Sequence, residues 1–184
     1  MDITQIGCDY YTGACHKWMC APKGSSFLYV AKNFQKGMSP QIMSWGEEGD
    51  DPGPSQFLMD FQWQGTKDMS AFLAIPSAIR FLQKNKWKEK SVISKNLISH
   101  LAGRLKDILG TESLFKNKNW IGQMISHPLP MDSPVNLKDM LWNDFKIEVP
   151  IFDWGKRNFI RVSAHFYNDQ KDMDHLIKAL KEIF

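Results

Sequence analysis

The chain has 184 residues, of which 43% are hydrophobic, 12% aromatic and 23% charged, a composition that indicates a folded protein with a sizeable core and argues against disorder. No stretch approaches the ~20 apolar residues of a membrane span, and Met1 is not followed by a basic segment leading into an apolar one. We therefore expect a cytoplasmic protein without a membrane partner.

The charge and cysteine patterns argue against further classes. The net charge is +3, and the only dense basic stretch, residues 84–90, is better explained as a helix face in water than as a nucleic-acid contact. The three cysteines, Cys8, Cys15 and Cys20, all lie within the first 20 residues. This odd, clustered set predicts reduced thiols and favours neither a disulfide framework nor a metal site.

The first half of the chain predicts a strand, a long loop and a divided helix. Residues Phe27–Val30 are β-prone and bounded by turn residues, which predicts a short buried strand. Residues Gly37–Pro54 are rich in Gly, Pro, Ser and acidic side chains and predict a loop. After Asp68, which we predict as an N-cap, apolar residues continue with helical spacing to Leu82, and Pro76 should kink or divide that helix.

A longer helix is predicted over Lys88–Leu109, with Gly110 as its stop. Its inward face is expected to carry Ile93, Leu97, Leu101, Leu105 and Ile108. This helix opens the second of two predicted domains, which cover residues 1–87 and 88–184.

The last third of the chain alternates strands with helices. Strands are predicted over three segments: Ile121–Ile125, Ile147–Ile151 and Phe159–Ala164. Helices are predicted to open at Ser133-Pro134 and after Asn168 or Asp169, and residues Asp153–Arg157 are predicted as a turn. This alternation predicts an α/β fold with a small α/β layer in its second part.

Residues 9–24 combine aromatic, small and thiol side chains in an order that neither helix nor strand periodicity explains, so we predict a shaped loop there. The loop carries Lys17. A lysine among such neighbours would be partly withdrawn from water, which favours the neutral, nucleophilic amine. By residue type alone, an ordinary surface lysine explains the position as well. We assign the neighbouring His16 a role in packing or hydrogen bonding rather than in acid-base chemistry.

This loop resembles the lysine motif of class V aminotransferase-fold enzymes, which use pyridoxal 5'-phosphate. It is similar above all to the isopenicillin N epimerase-like proteins, with Asp-Tyr-Tyr at residues 9–11, Gly-x-Cys-His-Lys-Trp at 13–18 and Ala-Pro-Lys-Gly at 21–24. Ala14 is a departure, because Asn is expected there. The resemblance implies that Lys17 forms a Schiff base with the cofactor.

Two later segments extend the resemblance. Gly65-Thr66 looks like the Gly-Thr element whose threonine reaches the cofactor phosphate across a dimer interface, which implies two cofactor-binding residues and a homodimer. An ordinary helix cap by Thr66 or Asp68 would explain these residues almost as well. Arg161 resembles the arginine that pairs with the α-carboxylate of an amino-acid substrate, as a guanidinium fork can. A structural ion pair on an edge strand is the alternative.

The resemblance covers the C-terminal half of a fold-type I pyridoxal-phosphate-dependent transferase: a remnant of the large-domain sheet followed by a small α/β domain. In that family, the groups that hold the ring and most of the phosphate lie upstream of the lysine, and only sixteen residues precede Lys17. We therefore expect the chain as given to be inactive and to bind the cofactor weakly or not at all.

The reaction itself stays open at this point. Epimerisation, transamination and β-elimination from cysteine conjugates all use the same lysine–cofactor bond, and the sequence does not separate them. Cysteine desulfurases are disfavoured, because they require a catalytic cysteine after the lysine and none follows Cys20. A non-catalytic interaction module that keeps the small domain is the alternative from a different class.

Overall fold

The computed structural model describes residues 2–47 and 53–184 and divides the chain into two compact units. Unit one ends at Lys84, and unit two covers Asn85–Phe184. The sequence placed the division after Trp87. That residue is instead the first of a long helix that belongs entirely to unit two.

Unit one consists of a β-hairpin and short helices. Its elements are α1 (Ile3–Ile6), β1 (Tyr10–Ala14), β2 (Ser26–Val30), α2 (Gln56–Gln62), α3 (Ser70–Leu73) and α4 (Ile75–Lys84). The two strands are antiparallel, with Tyr10 opposite Val30. The predicted strand is confirmed, but its burial was predicted wrongly: Phe27 and Leu28 are 37% and 48% exposed. A two-stranded ribbon leaves much of its surface uncovered, because each strand has only one neighbour.

The loop between β2 and α2 is confirmed where the structure describes it, and residues 48–52 of the prediction lie outside the described residues. Gly46 lies so close to α2 that a Cβ atom there would be 2.1 Å from the Met59 carbonyl oxygen. The Gln56 Nε2 amide donates to the Gly46 carbonyl over 3.0 Å. The loop is therefore held on α2 by a close backbone approach that only glycine permits.

Pro76 divides the helix as predicted. Helix α3 ends at Leu73, and α4 starts again with Pro76 as its second residue, where the missing N–H removes no intrahelical hydrogen bond. Asp68 accepts a hydrogen bond from Ser70 N over 2.8 Å and so stabilises the first turn of α3, although Met69 occupies the N-cap position itself.

Unit two contains a three-stranded antiparallel sheet and helices packed on it. Its elements are α5 (Trp87–Leu109), β3 (Met124–Pro128), α6 (Leu137–Phe145), β4 (Ile151–Trp154), β5 (Arg157–Ser163) and α7 (Gln170–Ile183). The strand order is β3-β5-β4, so β5 is central. Helices α5 and α7 pack together, and their buried side chains share one core with those of β3 and β5. The α/β fold class is confirmed.

Helix α5 and its stop are confirmed, and Gly110 adopts the left-handed conformation that ends it, with φ +62°. Leu101 and Leu105 are buried as predicted, but Ile93 is 59% exposed and was predicted wrongly. The buried stripe comprises Ser94, Ile98, Leu101, Ala102, Leu105 and Leu109. Helical spacing gives the width of such a stripe. The contacts of α5 with β3 and α7 fix the rotation of the helix about its axis and so decide which residues are buried.

Two of the three predicted strands start later than predicted, whereas the third, β5, covers Arg157–Ser163 in place of Phe159–Ala164. Strand β3 covers residues 124–128 in place of Ile121–Ile125, and β4 starts at Ile151, where the second predicted strand ended. Gly155 and Lys156 both have left-handed φ values, +56° and +67°, and form a two-residue hairpin turn. The flanking residues of the predicted five-residue turn therefore belong to β4 and β5.

The last two helices differ in how well their starts were predicted. Helix α6 begins at Leu137, whereas the hydroxyl of Ser133 closes a separate turn by donating to the Pro130 carbonyl over 2.6 Å. Helix α7 begins after Asp169 as predicted. The Asp169 carboxylate accepts from Asp172 N, and the Asp172 carboxylate accepts from Asp169 N, which is a reciprocal capping box.

Candidate functional site

The segment between β1 and β2 forms a closed turn that carries Lys17. Cys15 N donates to Ser25 O and Ala21 N donates to Cys15 O, both over 3.0 Å, so the two ends of the turn are tied together. Within the turn, Cys20 N donates to Lys17 O over 3.0 Å, and Cys20 itself is left-handed with φ +59°. Backbone hydrogen bonds therefore fix the chain on both sides of Lys17.

A small apolar cluster holds this turn against α4. Cys15 and Ala21 are 2% and 7% exposed and pack with Ala78, while Met19 and Ile75 complete the cluster. The Cys15 thiol is free and acts here as a small apolar side chain. The lysine turn is thus supported both by hydrogen bonds along the hairpin and by packing on a helix.

Lys17 itself is exposed, so the expectation that its neighbours withdraw it from water is wrong for the described residues. The hairpin's tyrosines contact other aromatic rings instead: Tyr11 stacks on Phe27 of β2 with ring centroids 5.9 Å apart, and Tyr10 contacts Phe34, which follows β2, at 5.7 Å. The lysine side chain takes part in none of the ion pairs or hydrogen bonds of the described part of the chain. Its amine is therefore open to a ligand.

Gly65 and Thr66 lie in the loop between α2 and α3. Gly65 has φ +96°, and Thr66 is exposed. The capping role falls to Asp68, and hydrogen bonds from the Ser70 hydroxyl and backbone N–H hold the pKa of the Asp68 carboxyl below its ordinary value. Across residues 2–47 and 53–184, the Thr66 hydroxyl has no hydrogen-bond partner, which leaves it available to an anionic ligand.

Arg161 lies in the central strand β5, and its side chain is exposed. It is paired with Ser126 of β3, and Ser163 lies on the same face of β5. Ile160 and Val162 point to the opposite face and are buried, as the strand alternation predicted. The alternative of a structural ion pair on an edge strand is wrong for the described residues, because β5 is central and Arg161 forms no ion pair among them.

Two serines near these residues were not singled out from the sequence. Ser25 is 0% exposed and closes the lysine turn, but no local pattern distinguishes it from an ordinary turn serine. Ser126 lies directly opposite Arg161, outside the strand that was predicted to end at Ile125. Extending the apolar alternation past Ile125 would have placed Ser126 in the strand.

The side chains present fit part of what pyridoxal phosphate requires. An open amine suits its aldehyde, an unpaired hydroxyl suits its phosphate, and an unpaired guanidinium suits the carboxylate of an amino acid. No group of three or more His, Cys, Asp and Glu side chains that could hold a metal occurs among the residues the structure describes. Within those same residues, no helix is long and apolar enough to cross a membrane.

The lysine-bearing hairpin, the short helices and the small α/β unit follow the fold of the C-terminal half of fold-type I pyridoxal-phosphate-dependent enzymes. The family model for aminotransferase class V matches residues 1–176. The chain therefore belongs to the class V aminotransferase family, which depends on pyridoxal phosphate.

Relatives at two levels of identity match the whole chain. Isopenicillin N epimerase of Amycolatopsis lactamdurans is 32% identical over 100% of this chain and 49% of its own length. L-cysteine desulfhydrase of Arabidopsis thaliana is 24% identical over 100% of this chain and 44% of its own length. The chain spans about half the length of the curated relatives it matches.

The solved structures agree in fold. A variant of C-DES with glycine covalently linked to its pyridoxal phosphate cofactor has a TM-score of 0.79 and 18% identity, covering 100% of this chain and 48% of that one. At that level of identity, the likeness establishes the fold alone.

Proposed function

We propose that the chain is the C-terminal portion of a pyridoxal-phosphate-dependent enzyme that acts at the Cα and amine of an amino acid, and that Lys17 binds the cofactor covalently through Nζ. The observation that carries the proposal is the turn after β1, which fixes the backbone around Lys17 and leaves its amine open. When bound, pyridoxal phosphate supplies the electron withdrawal that makes a substrate's Cα proton removable.

The remaining candidate residues have distinct roles in this proposal. Thr66 donates its hydroxyl, and Gly65 its backbone amide, to the cofactor phosphate of a second copy across a homodimer interface. Arg161 orients the amino acid by pairing with its α-carboxylate, since a guanidinium offers two parallel donors. Lys17, once released from the cofactor, moves the proton at Cα.

Epimerisation is the reaction that we propose. The relative at 32% identity carries the name of an epimerase, and the removal and return of a Cα proton is the least demanding outcome of such chemistry. Cysteine C–S cleavage is the second candidate, because L-cysteine desulfhydrases also match the full chain. Interconversion of the two Cα epimers without sulfide release separates the first reaction from the second.

Reductive trapping tests the role of Lys17. The chain, alone and mixed with the N-terminal half of the Amycolatopsis epimerase, is incubated with pyridoxal phosphate, reduced with borohydride, digested and analysed by mass spectrometry. In the mixture we expect Lys17 to carry most of the label. We expect little label on the chain alone, because the resemblance implies that most cofactor contacts lie upstream of the lysine.

Two lysine substitutions control this experiment. Lys17→Arg should lose the label, whereas Lys23→Arg should keep it, because Lys23 is an exposed lysine in the same connection between β1 and β2. Label spread evenly over surface lysines in the mixture would contradict the proposal.

A further inference from the structure

His16 directly precedes Lys17 and has a specific partner. Its ring Nδ1 lies 3.0 Å from the carbonyl oxygen of Ser25. A carbonyl oxygen can only accept a hydrogen bond, so Nδ1 must carry the proton and donate it. The same oxygen accepts Cys15 N over 3.0 Å, so one carbonyl holds both the backbone and the ring at the start of the turn.

Ser25 is a firm anchor for this contact. The residue is fully buried, and its hydroxyl donates to the Pro22 carbonyl over 2.8 Å. Moving the Ser25 carbonyl would therefore disturb both the hydrogen bond from Cys15 N and the hydrogen bond from the Ser25 hydroxyl to Pro22. The Lys17 residue has one backbone hydrogen bond, from Cys20 N, and its exposed side chain has none within the described residues.

We propose that His16 is a positioning residue for Lys17. By donating from Nδ1 to the Ser25 carbonyl, it fixes the peptide that leads into Lys17 and with it the direction in which the amine leaves the turn. The inference rests on the proposed function, since it concerns how Lys17 meets the cofactor aldehyde. It also assigns the neutral ring of His16 to the tautomer with the proton on Nδ1.

Three substitutions separate the hydrogen bond from the bulk of the ring. His16→Asn keeps an N–H donor close to the position of Nδ1, His16→Gln moves the donor one bond further out, and His16→Ala removes it. A hydrogen bond of this kind contributes about 0.5–1.5 kcal/mol, which is a two- to tenfold change in an equilibrium.

The readout is the share of borohydride-trapped pyridoxal phosphate on Lys17, relative to Lys23, in the mixture with the N-terminal half of the epimerase. We expect this share to fall about two- to tenfold in His16→Ala and His16→Gln. His16→Asn should stay close to the original chain. A purely structural role would lower the free energy of unfolding of these variants without redistributing the label among lysines.

The tautomer is measured separately on the chain by itself. Long-range ¹H–¹⁵N spectra of the neutral ring should show the His16 proton on Nδ1. A neutral ring protonated on Nε2 would overturn the proposal.

The outcomes also distinguish this proposal from the proposed function. If the original chain favours Lys17 and His16→Ala favours it equally, the positioning role fails and the cofactor role of Lys17 stands. If label never favours Lys17 in the original chain, both fail together.

Discussion

His127 shows how a single residue in unit two is constrained by burial. It is 0% exposed, and its Nε2 lies 3.0 Å from Thr111 Oγ1, which in turn donates to the Pro128 carbonyl over 2.7 Å. The Thr111 hydroxyl donates its only proton to the Pro128 carbonyl. His127 Nε2 must therefore donate a hydrogen bond to the Thr111 oxygen. Nδ1 has no partner within the described part, so a proton added there would be buried without an acceptor.

This arrangement predicts a pH dependence of stability. Burial lowers the pKa of His127 from its ordinary value of 6.5, so below that pH the unfolded chain takes up a proton that the folded chain resists. We expect the free energy of unfolding from urea titrations to be constant above about pH 6.5 and to fall below it, by less than about 1.4 kcal/mol per pH unit. This loss of unfolding free energy at low pH should be smaller in His127→Leu. It should be unchanged in His100→Gln, because His100 is exposed. An equal loss in His127→Leu would rule out this residue as the cause.

Elements whose ends are fixed by nearby side chains follow from the sequence. The hairpin turn at Gly155-Lys156, the stop at Gly110 and the cap at Asp169 each depend on residues within a few positions of one another. The rotation of α5 and the start of β3 depend instead on partners far along the chain, and these were predicted less well.

The cap of α7 gives a direct test at this scale. Asp169→Ala removes the acceptor of the capping box and should lower the free energy of unfolding by about 1 kcal/mol. Asp169→Asn should lower the free energy of unfolding by less, because the asparagine side-chain oxygen still accepts a hydrogen bond from the backbone. Glu182→Ala is the matched control: its contact with Lys178, at 3.9 Å, is exposed and should matter little. A loss in Glu182→Ala as large as that in Asp169→Ala would contradict the capping role.

The two units of the whole molecule differ in how much they bury. Unit two has a continuous core that includes Leu101, Leu141, Ile160 and Leu180, all 0% exposed. The cluster under the lysine turn of unit one is built on much smaller side chains, Cys15, Ala21 and Ala78. Local opening free energy rises with buried apolar contact, so the units should differ in stability.

Hydrogen exchange followed by mass spectrometry checks this difference. Amides of α5, β5 and α7 should exchange more slowly than those of β1 and β2, after correction for intrinsic rates. Protection in the hairpin equal to that in α5 would show that unit one opens only with the rest of the chain.

The sequence by itself determined the family, the candidate residues Lys17, Thr66 and Arg161, and the local turns and caps. These depend on residue types and short spacings, which a single chain displays directly. Only the tertiary structure decided that Lys17 is exposed and that the Ser25 carbonyl accepts a hydrogen bond from the His16 ring. It also decided that Arg161 lies on a central strand, opposite Ser126 of β3. Those facts depend on which strand pairs with which and which face a helix buries, and such contacts join residues that are distant in the sequence.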